Sequence, residues 1–363
     1  MGKQRKLKIA FLSCGSFTHV APYLDFFRNR GHEVSLVAYD RPTTDYGVRT
    51  YDISYGARAS QNQSKWKYLL AGVKARKLLR EIKPDILHGH YATSAGVISL
   101  ITGFRPFVLT VHGTDLMSSM HSVLWRRILR TSFRKAALVN TVSRELAVKG
   151  RDMGIEEEKL LVATLGVDTE QFSFRGDRRI NRPLKLLCTR TLGEIYDPET
   201  VLNACRLLKE MKIAFRMTFA AGGPLEAELK KRAKKLAIEG AVTFMGGYDN
   251  STLPDILHRH DIYVSASHWD GTSISLLEAM SAGTFPVVSR IKSNRAWLKE
   301  DQTALMFDCE NSRELAEKIR RIENDRCLFE NAVLRNRKLV EEQGDRIRNL
   351  ERLEEAYYRI LEE

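Results

Sequence analysis

Residues 261–289 read DIYVSASHWDGTSISLLEAMSAGTFPVVS. DIYVSAS is rich in β-branched and aromatic residues and closes a strand. WDGTS is a turn, where Gly271 permits close backbone approach and a positive φ. ISLLEAMSA has helix-forming composition, and Gly283 followed by Pro286 ends it. TFPVVS then opens another strand. Strand, turn, helix and strand within 29 residues make a right-handed βαβ unit, the building block of a parallel sheet.

The same alternation runs outward in both directions. Upstream, LKIAFLS, EVSLVAY, DILHGH, PFVLTVHG, ALVNTV and KLLVATLG read as strands. Amphipathic stretches separate them, among them HVAPYLDFFRNRG, KWKYLLAGVKARKLLREIKP and LWRRILRTSFRKA. The pattern pauses at residues 167–183, which are polar and carry Gly and Pro, and which read as an interdomain linker. It restarts with LKLLCT, AFRMTFAAGG, AVTFMGG, DIYVSA, TFPVVS and ALMF. The expected fold class is therefore α/β, with two Rossmann-like, doubly wound parallel-sheet domains, at 1–170 and 183–342. Ligands on such sheets sit at the carboxyl ends of the strands, and two such domains are expected to share a cleft. The last stretch, 343–363, is charged and helical. Its apolar stripe of Leu350, Leu353, Tyr357 and Leu361 must pack somewhere.

Composition narrows the classes. A chain of 363 residues with 43% hydrophobic content forms two sizeable cores. No apolar run reaches the roughly 18 residues that span a bilayer. The basic start, MGKQRKLKIAFLSCGSF, mimics a signal peptide, but IAFL is too short for its apolar region. It reads as a first strand, and a cytoplasmic location is expected. The five cysteines are odd in number and lack CxxC or zinc-type spacing, which suits a reducing compartment. Of the net charge of +13, residues 1–172 carry +11, with 26 basic against 15 acidic side chains. That asymmetry points to an anionic partner for the first half, such as a membrane surface or an acidic acceptor. No recognition module for nucleic acid accompanies it.

Two carboxylates, Asp270 and Glu278, flank the start of the helix in the opening stretch. Helix-start amides near Thr272, Ser273, Ile274 and Ser275 form an anion site suited to phosphate. Glu278, one turn in, could accept hydrogen bonds from paired ribose hydroxyls, and Asp270 from a further sugar hydroxyl. The plainer readings stand beside these. Ser275-x-x-Glu278 is also a capping box, and Asp270 is an ordinary turn residue.

The stretch resembles the signature of retaining glycosyltransferase family 4, which ends in an EAM…G…PVV block matched here by Glu278 to Val288. Weaker motifs of that family occur in order along nearly the whole chain: Arg30-Gly31-His32-Glu33-Val34, Thr110-Val111-His112-Gly113-Thr114-Asp115, Gly166-Val167-Asp168 through Phe172, and Gly222-Gly223-Pro224. The resemblance implies the GT-B architecture, with residues 343–363 packing back on the first domain. It also implies transfer of a sugar from a nucleotide diphosphate sugar to an acceptor hydroxyl, with retention of configuration. Glu278 would hold the ribose, Arg190 the diphosphate, and Asp270 with the Gly271–Ser273 amides the donor sugar. His112 would meet that sugar near the reacting carbon. Two positions depart from the pattern. Asp270 is one methylene shorter than the family's Glu, and Tyr196 stands where a Lys would grip the diphosphate.

Elsewhere, Gly15-Ser16 follows the first strand, where a glycine turn suits a diphosphate or is simply a βα loop. Asp115 orients His112 or caps the helix beginning near Leu116. His88-Gly-His90 tempts a metal reading, but a strand end explains it better. No Asp-x-Asp occurs, so charge neutralisation is expected from Arg190 and helix dipoles without a metal or other cofactor. Trp125, Arg126, Arg127 and Arg130 lie on a basic amphipathic helix, suited to anionic headgroups or to a glycan or lipid-linked acceptor. The expected setting is surface glycan or glycolipid synthesis, with the enzyme peripheral on the inner membrane face. Two other readings remain open: a nucleotide-sugar epimerase on the same fold, and a non-catalytic glycan or lipid binder with a decayed donor site.

Overall fold

The computed structural model describes residues 5–15, 18–55, 67–113, 115–116, 122–176 and 178–362. The chain divides into two units, Met1–Leu165 with Ile347–Glu363, and Gly166–Arg346.

The first unit holds seven parallel strands: β1 (Lys8–Ser13), β2 (Glu33–Ala38), β3 (Arg49–Asp52), β4 (Ile86–His90), β5 (Phe107–Val111), β6 (Leu138–Thr141) and β7 (Leu160–Val162). Their order across the sheet is β3-β2-β1-β4-β5-β6-β7. Both faces are covered, and the two-residue period of a strand shows why the sequence runs are continuously apolar. In β1, Ala10 and Leu12 enter one core while Ile9 and Phe11 enter the other. The short edge strand β3, RTYD, was not legible in the sequence, because three of its four residues are exposed and polar or charged residues dominate it.

Residues from Ile347 onward complete this unit. In the helix Arg346–Glu362, Leu350, Leu353, Ala356 and Tyr357 are buried beside Ile9 and Phe27. The Tyr357 ring stacks on Phe27 at 5.1 Å. Glu354, on the same helix, meets Arg30 Nη2 at 2.9 Å and His32 Nε2 at 2.7 Å.

The second unit has six parallel strands: β8 (Leu184–Cys188), β9 (Phe215–Phe219), β10 (Val242–Phe244), β11 (Ile262–Ser265), β12 (Phe285–Ser289) and β13 (Leu305–Phe307). Their order is β10-β9-β8-β11-β12-β13. Ile262 and Val264 face one core while Tyr263 faces the other. The stretch 167–183 is no loose connector. Val167 and Phe172 are buried in this unit's core, the Val167 amide donates to Gly344 O at 2.8 Å, and Arg178 donates to Gly283 O at 2.9 Å and His258 O at 2.6 Å.

Each sheet reverses direction once, between β1 and β4 and between β8 and β11. At such a point the two following loops diverge and leave a crevice at the carboxyl ends of the strands. The segments after β8 and β11 carry Arg190 and Asp270, and those after β1 and β4 carry Gly15 and Tyr91. Among the described residues, no helix is long and apolar enough to cross a membrane.

Candidate functional site

In the second unit, the loops that diverge from β8 and β11 bring together residues some eighty positions apart. Arg190 Nη2 pairs with Asp270 Oδ2 at 2.6 Å, and the two side chains are only 12% and 17% exposed. Arg190 Nη1 donates to Ser273 Oγ at 3.2 Å and Ser275 Oγ at 2.9 Å. The half-buried Tyr196 ring lies under the guanidinium, 4.2 Å from its carbon. Arg190 Nε is buried with no partner among the described residues. Stacking and hydrogen bonds thus fix the plane of one cation, which a point charge on a flexible Lys would not achieve. Tyr196 supports Arg190 rather than replacing a cation.

The helix Ile274–Ala282 starts at Ser273, whose Oγ accepts from the Leu276 amide at 3.3 Å. The capping box read at Ser275 and Glu278 is therefore not formed. Ser275 lies inside the first turn, and its Oγ meets Arg190 and, at 2.9 Å, the buried Tyr263 hydroxyl. The Ile274 and Ser275 amides make no hydrogen bond among the described residues, as the first turn of a helix leaves them. Thr272 is half-buried beside them. Gly271 is exposed with open space where a Cβ would stand, and its φ is not positive. What the turn gains from glycine is room for an approaching group. Asp270 Oδ1 accepts the Gly271 amide at 2.9 Å, so it is turn residue and ion-pair partner at once.

Glu278 has neither hydrogen bond nor ion pair among the described residues. Burial pushes its carboxyl up to about 7, against the opposing fields of Arg346 and Arg190. A neighbouring phenol, Tyr248, is pushed up to about 12 by burial and by Glu278. An unpaired, half-buried carboxyl is costly to ionise unless a ligand supplies donors. Nothing in the sequence pointed to Tyr248, Tyr263 or Arg346. They sit in a loop, an apolar strand and a charged helix start, without a motif.

A third loop closes the group. Leu192 donates its amide to Gly222 O at 3.0 Å and accepts the Leu225 amide at 3.0 Å. A Cβ on Gly223 would stand 2.3 Å from Leu192 O, whereas one on Gly222 would meet nothing nearer than Glu226 Oε2 at 3.6 Å. The glycine that this packing requires is therefore Gly223, and Gly222 is left free of side-chain demands. His268 ties the β8 and β11 loops, with Nε2 at 3.2 Å from Asp197 Oδ2 and its amide on Ile195 O at 2.9 Å.

In the first unit, Gly15 packs so tightly that a Cβ would lie 2.9 Å from Pro42 Cα, and its amide donates to Asp40. Ordinary loop packing accounts for this glycine. Ser16, and Thr114 of the His112 motif, lie outside the described residues. His112 follows β5 and is half-buried. Asp115 makes no direct hydrogen bond to the ring. The Asp115 carboxylate accepts the Ala92, Gly113 and Leu116 amides at 2.7, 2.8 and 3.0 Å, so it caps the turn. His88 is satisfied at both nitrogens, by Thr110 Oγ1 at 2.7 Å and the Tyr357 hydroxyl at 2.5 Å. His90 Nδ1 is taken by His112 Nε2 at 3.0 Å.

The basic helix is Val123–Lys135. It buries Leu129 and Phe133, half-buries Trp125, and exposes Arg126, Arg127 and Arg130. Its first turn also exposes Val123 (58%) and Leu124 (67%).

Two family models match consecutive stretches of the chain. One described as "Glycosyltransferase Family 4" covers residues 14–171, and one described as "Glycosyl transferases group 1" covers 170–341. The amylovoran biosynthesis glycosyltransferase AmsK of Erwinia amylovora is 26% identical over 245 residues, 65% of this chain and 58% of its own. The Escherichia coli UDP-Gal:alpha-D-GlcNAc-diphosphoundecaprenol alpha-1,3-galactosyltransferase is 22% identical over 324 residues, 83% of this chain and 82% of its own. Among solved structures, Anabaena HepE in complex with UDP superposes with a TM-score of 0.75 at 15% identity, over 96% of this chain and 99% of its own. That last likeness is one of fold, the GT-B pairing of two Rossmann-like domains. The chain belongs to the glycosyltransferases of the group 1 and family 4 type.

Proposed function

We propose that the chain transfers a sugar from a nucleotide diphosphate sugar to an acceptor hydroxyl, with retention, during synthesis of a polysaccharide or glycolipid. One observation carries this reading: the Arg190 guanidinium, the unpaired Ile274 and Ser275 amides and the unpaired Glu278 carboxyl share one sheet-switch crevice. A cation beside free helix-start amides suits a diphosphate. A lone carboxylate one turn further suits a vicinal diol. The acceptor class is supported by relatives whose names specify amylovoran and a diphosphoundecaprenol-linked sugar, and the donor class by the fold-mate in complex with UDP.

In this reading Arg190 and the helix start neutralise the leaving diphosphate as the bond from the anomeric carbon to the phosphate oxygen breaks and the acceptor oxygen bonds to that carbon. The departing phosphate oxygen takes the acceptor proton on the same face, and Asp270 with the Gly271–Ser273 backbone holds the donor sugar. No cofactor is required beyond the co-substrate. A thermal-shift screen of UDP, GDP, ADP and their sugars, with and without chelator, tests it. One nucleotide family should raise the melting point, since a ligand that binds only the folded state at 100 times its Kd adds about 2.7 kcal/mol. No shift with any nucleotide diphosphate would remove the reading.

The basic helix has a membrane role in the same proposal, because Val123 and Leu124 are exposed beside Arg126, Arg127 and Arg130. Vesicles rich in anionic lipid should retain the protein at low salt, and the triple change Arg126→Glu, Arg127→Glu, Arg130→Glu should release it. Equal retention of both proteins would end the membrane role and leave the transfer reaction untouched.

A further inference from the structure

The register of β4 against β5 sets His90 opposite Thr110, so that the residues following both strands are neighbours. Tyr91 takes a left-handed φ of 73° and opens a short π-helix, Tyr91–Ala95. A bulky aromatic residue in that region is strained, and such strain persists only where surroundings enforce it. The enforcing contact is Asp115, whose carboxylate accepts the amides of Ala92, just past Tyr91, and of Gly113, just past His112. The strain lays the Tyr91 ring on His112, with centroids 4.4 Å apart and planes 25° apart. His112 is thereby held face-on by Tyr91 and, through its Nε2, by the hydrogen bond to His90.

The hydrogen bond between the two histidines has two directions, and only one leaves His90 satisfied. His90 is 1% exposed, and its Nε2 has no hydrogen-bond partner among the described residues. Its neighbours are aromatic, with the Tyr23 ring at 4.7 Å and the Phe11 ring at 5.9 Å. If His90 Nδ1 donated, Nε2 would keep a bare lone pair with no donor to meet it. If Nε2 carries the hydrogen, the π electrons around it serve as a weak acceptor, and Nδ1 becomes the acceptor. His112 must then donate from Nε2, and a neutral imidazole with its hydrogen on Nε2 has an unprotonated Nδ1. Burial lowers the pKa of both rings, that of His112 to about 3, so both remain neutral near pH 7.

We propose that His90 and Tyr91 are positioning residues that hold His112 as its Nε2–H tautomer, so that its Nδ1 accepts a hydrogen bond from a ligand hydroxyl. The ligand group at His112 is then a donor, an alcohol and not a carbonyl or phosphate oxygen. Only the assignment of that alcohol to the donor sugar rests on the function proposed above. The tautomer itself is a property of the ligand-free chain, so it stands or falls separately.

Long-range ¹H–¹⁵N correlation spectra of the full-length, ¹⁵N-labelled protein at pH 7 read the tautomer directly, with His112 assigned by the loss of its signals in His112→Gln. The expected result is a single Nε2–H form for His112. In His90→Phe that preference should relax to a mixture or invert. In His90→Asn, whose amide takes the place of Nδ1, it should be retained. An Nδ1–H form in the unaltered protein overturns the proposal. That spectrum needs only the His112→Gln assignment, so it decides even if His90→Phe fails to fold. An unchanged His112 signal in folded His90→Phe removes His90 from the role.

Discussion

Replacing Arg190 with alanine will lower sugar transfer by about 10²–10³-fold, the range seen when one pre-aimed donor to a developing charge is lost. In the second unit's crevice the plane of this cation is fixed between Tyr196 and two serine hydroxyls. The same change will cost stability, because the largely buried Asp270 loses its 2.6 Å partner. Breaking a largely buried pair from one side costs about 3 kcal/mol. The double variant Arg190→Ala, Asp270→Ala separates the two effects. It should recover most of the melting temperature and none of the turnover. Recovery of turnover in the double variant would mean that the pair is structural and that the diphosphate is gripped elsewhere. The pair also explains how Asp270 compensates for being shorter than a Glu. It reaches Arg190, and a bound donor must either share that guanidinium or draw Asp270 away from it.

Glu278→Gln should make the protein more stable and worse at binding donor. In the unfolded chain the carboxyl ionises near 4.5, whereas burial in the fold holds its proton to about 7. A folded value above the unfolded one means that the fold disfavours the ionised form. Stability is therefore lost as pH rises from about 4.5, and above 7 the full loss of roughly 3 kcal/mol stands. An amide has no charge to bury, so the variant should melt higher than the unaltered protein at pH 8 and alike at pH 4.5. Binding runs the other way. Only the ionised carboxylate offers acceptors to both hydroxyls of a diol, so affinity for the nucleotide should climb with pH up to about 7 and then level off. In the variant it should be flat with pH and about 10- to 100-fold weaker, the loss expected for hydrogen bonds to a charged group. Calorimetric titration across pH 5.5–8.5 measures it. Equal affinity in both proteins would detach Glu278 from the ligand, and a variant less stable at pH 8 would contradict the buried-carboxyl account.

The parts of this molecule that sequence disclosed are those governed by neighbours along the chain. Strand-helix alternation marked every strand except β3, whose edge position leaves RTYD without an apolar period. The turn at Trp269 to Ser273 and the following helix were readable because caps and glycines act within a few residues. What lay hidden depends on contacts between distant segments. The capping serine could be Ser273 or Ser275 by pattern alone, and only the pull of Arg190 and Tyr263 on Ser275 decides it. Gly223 reads like Gly222 until the Leu192 backbone is placed against it. His88 and His90 look equivalent in HGH, yet one is saturated by Thr110 and Tyr357 while the other is committed to His112. Arg346, some seventy residues downstream of Glu278, acts on it with no motif to announce the fact.

The helix that carries Tyr357 has a consequence for the order of events at the ribosome. Leu350, Leu353, Ala356 and Tyr357 line the same core as Ile9, Phe11 and Phe27, so some 340 residues must be translated between the first strand and the helix that seals it. Gly166–Arg346, contiguous in sequence, can condense as soon as it emerges. The amino-terminal sheet, though made first, keeps an oily flank uncovered until translation has passed residue 357, and for that interval it is the part of the nascent chain that a chaperone would hold.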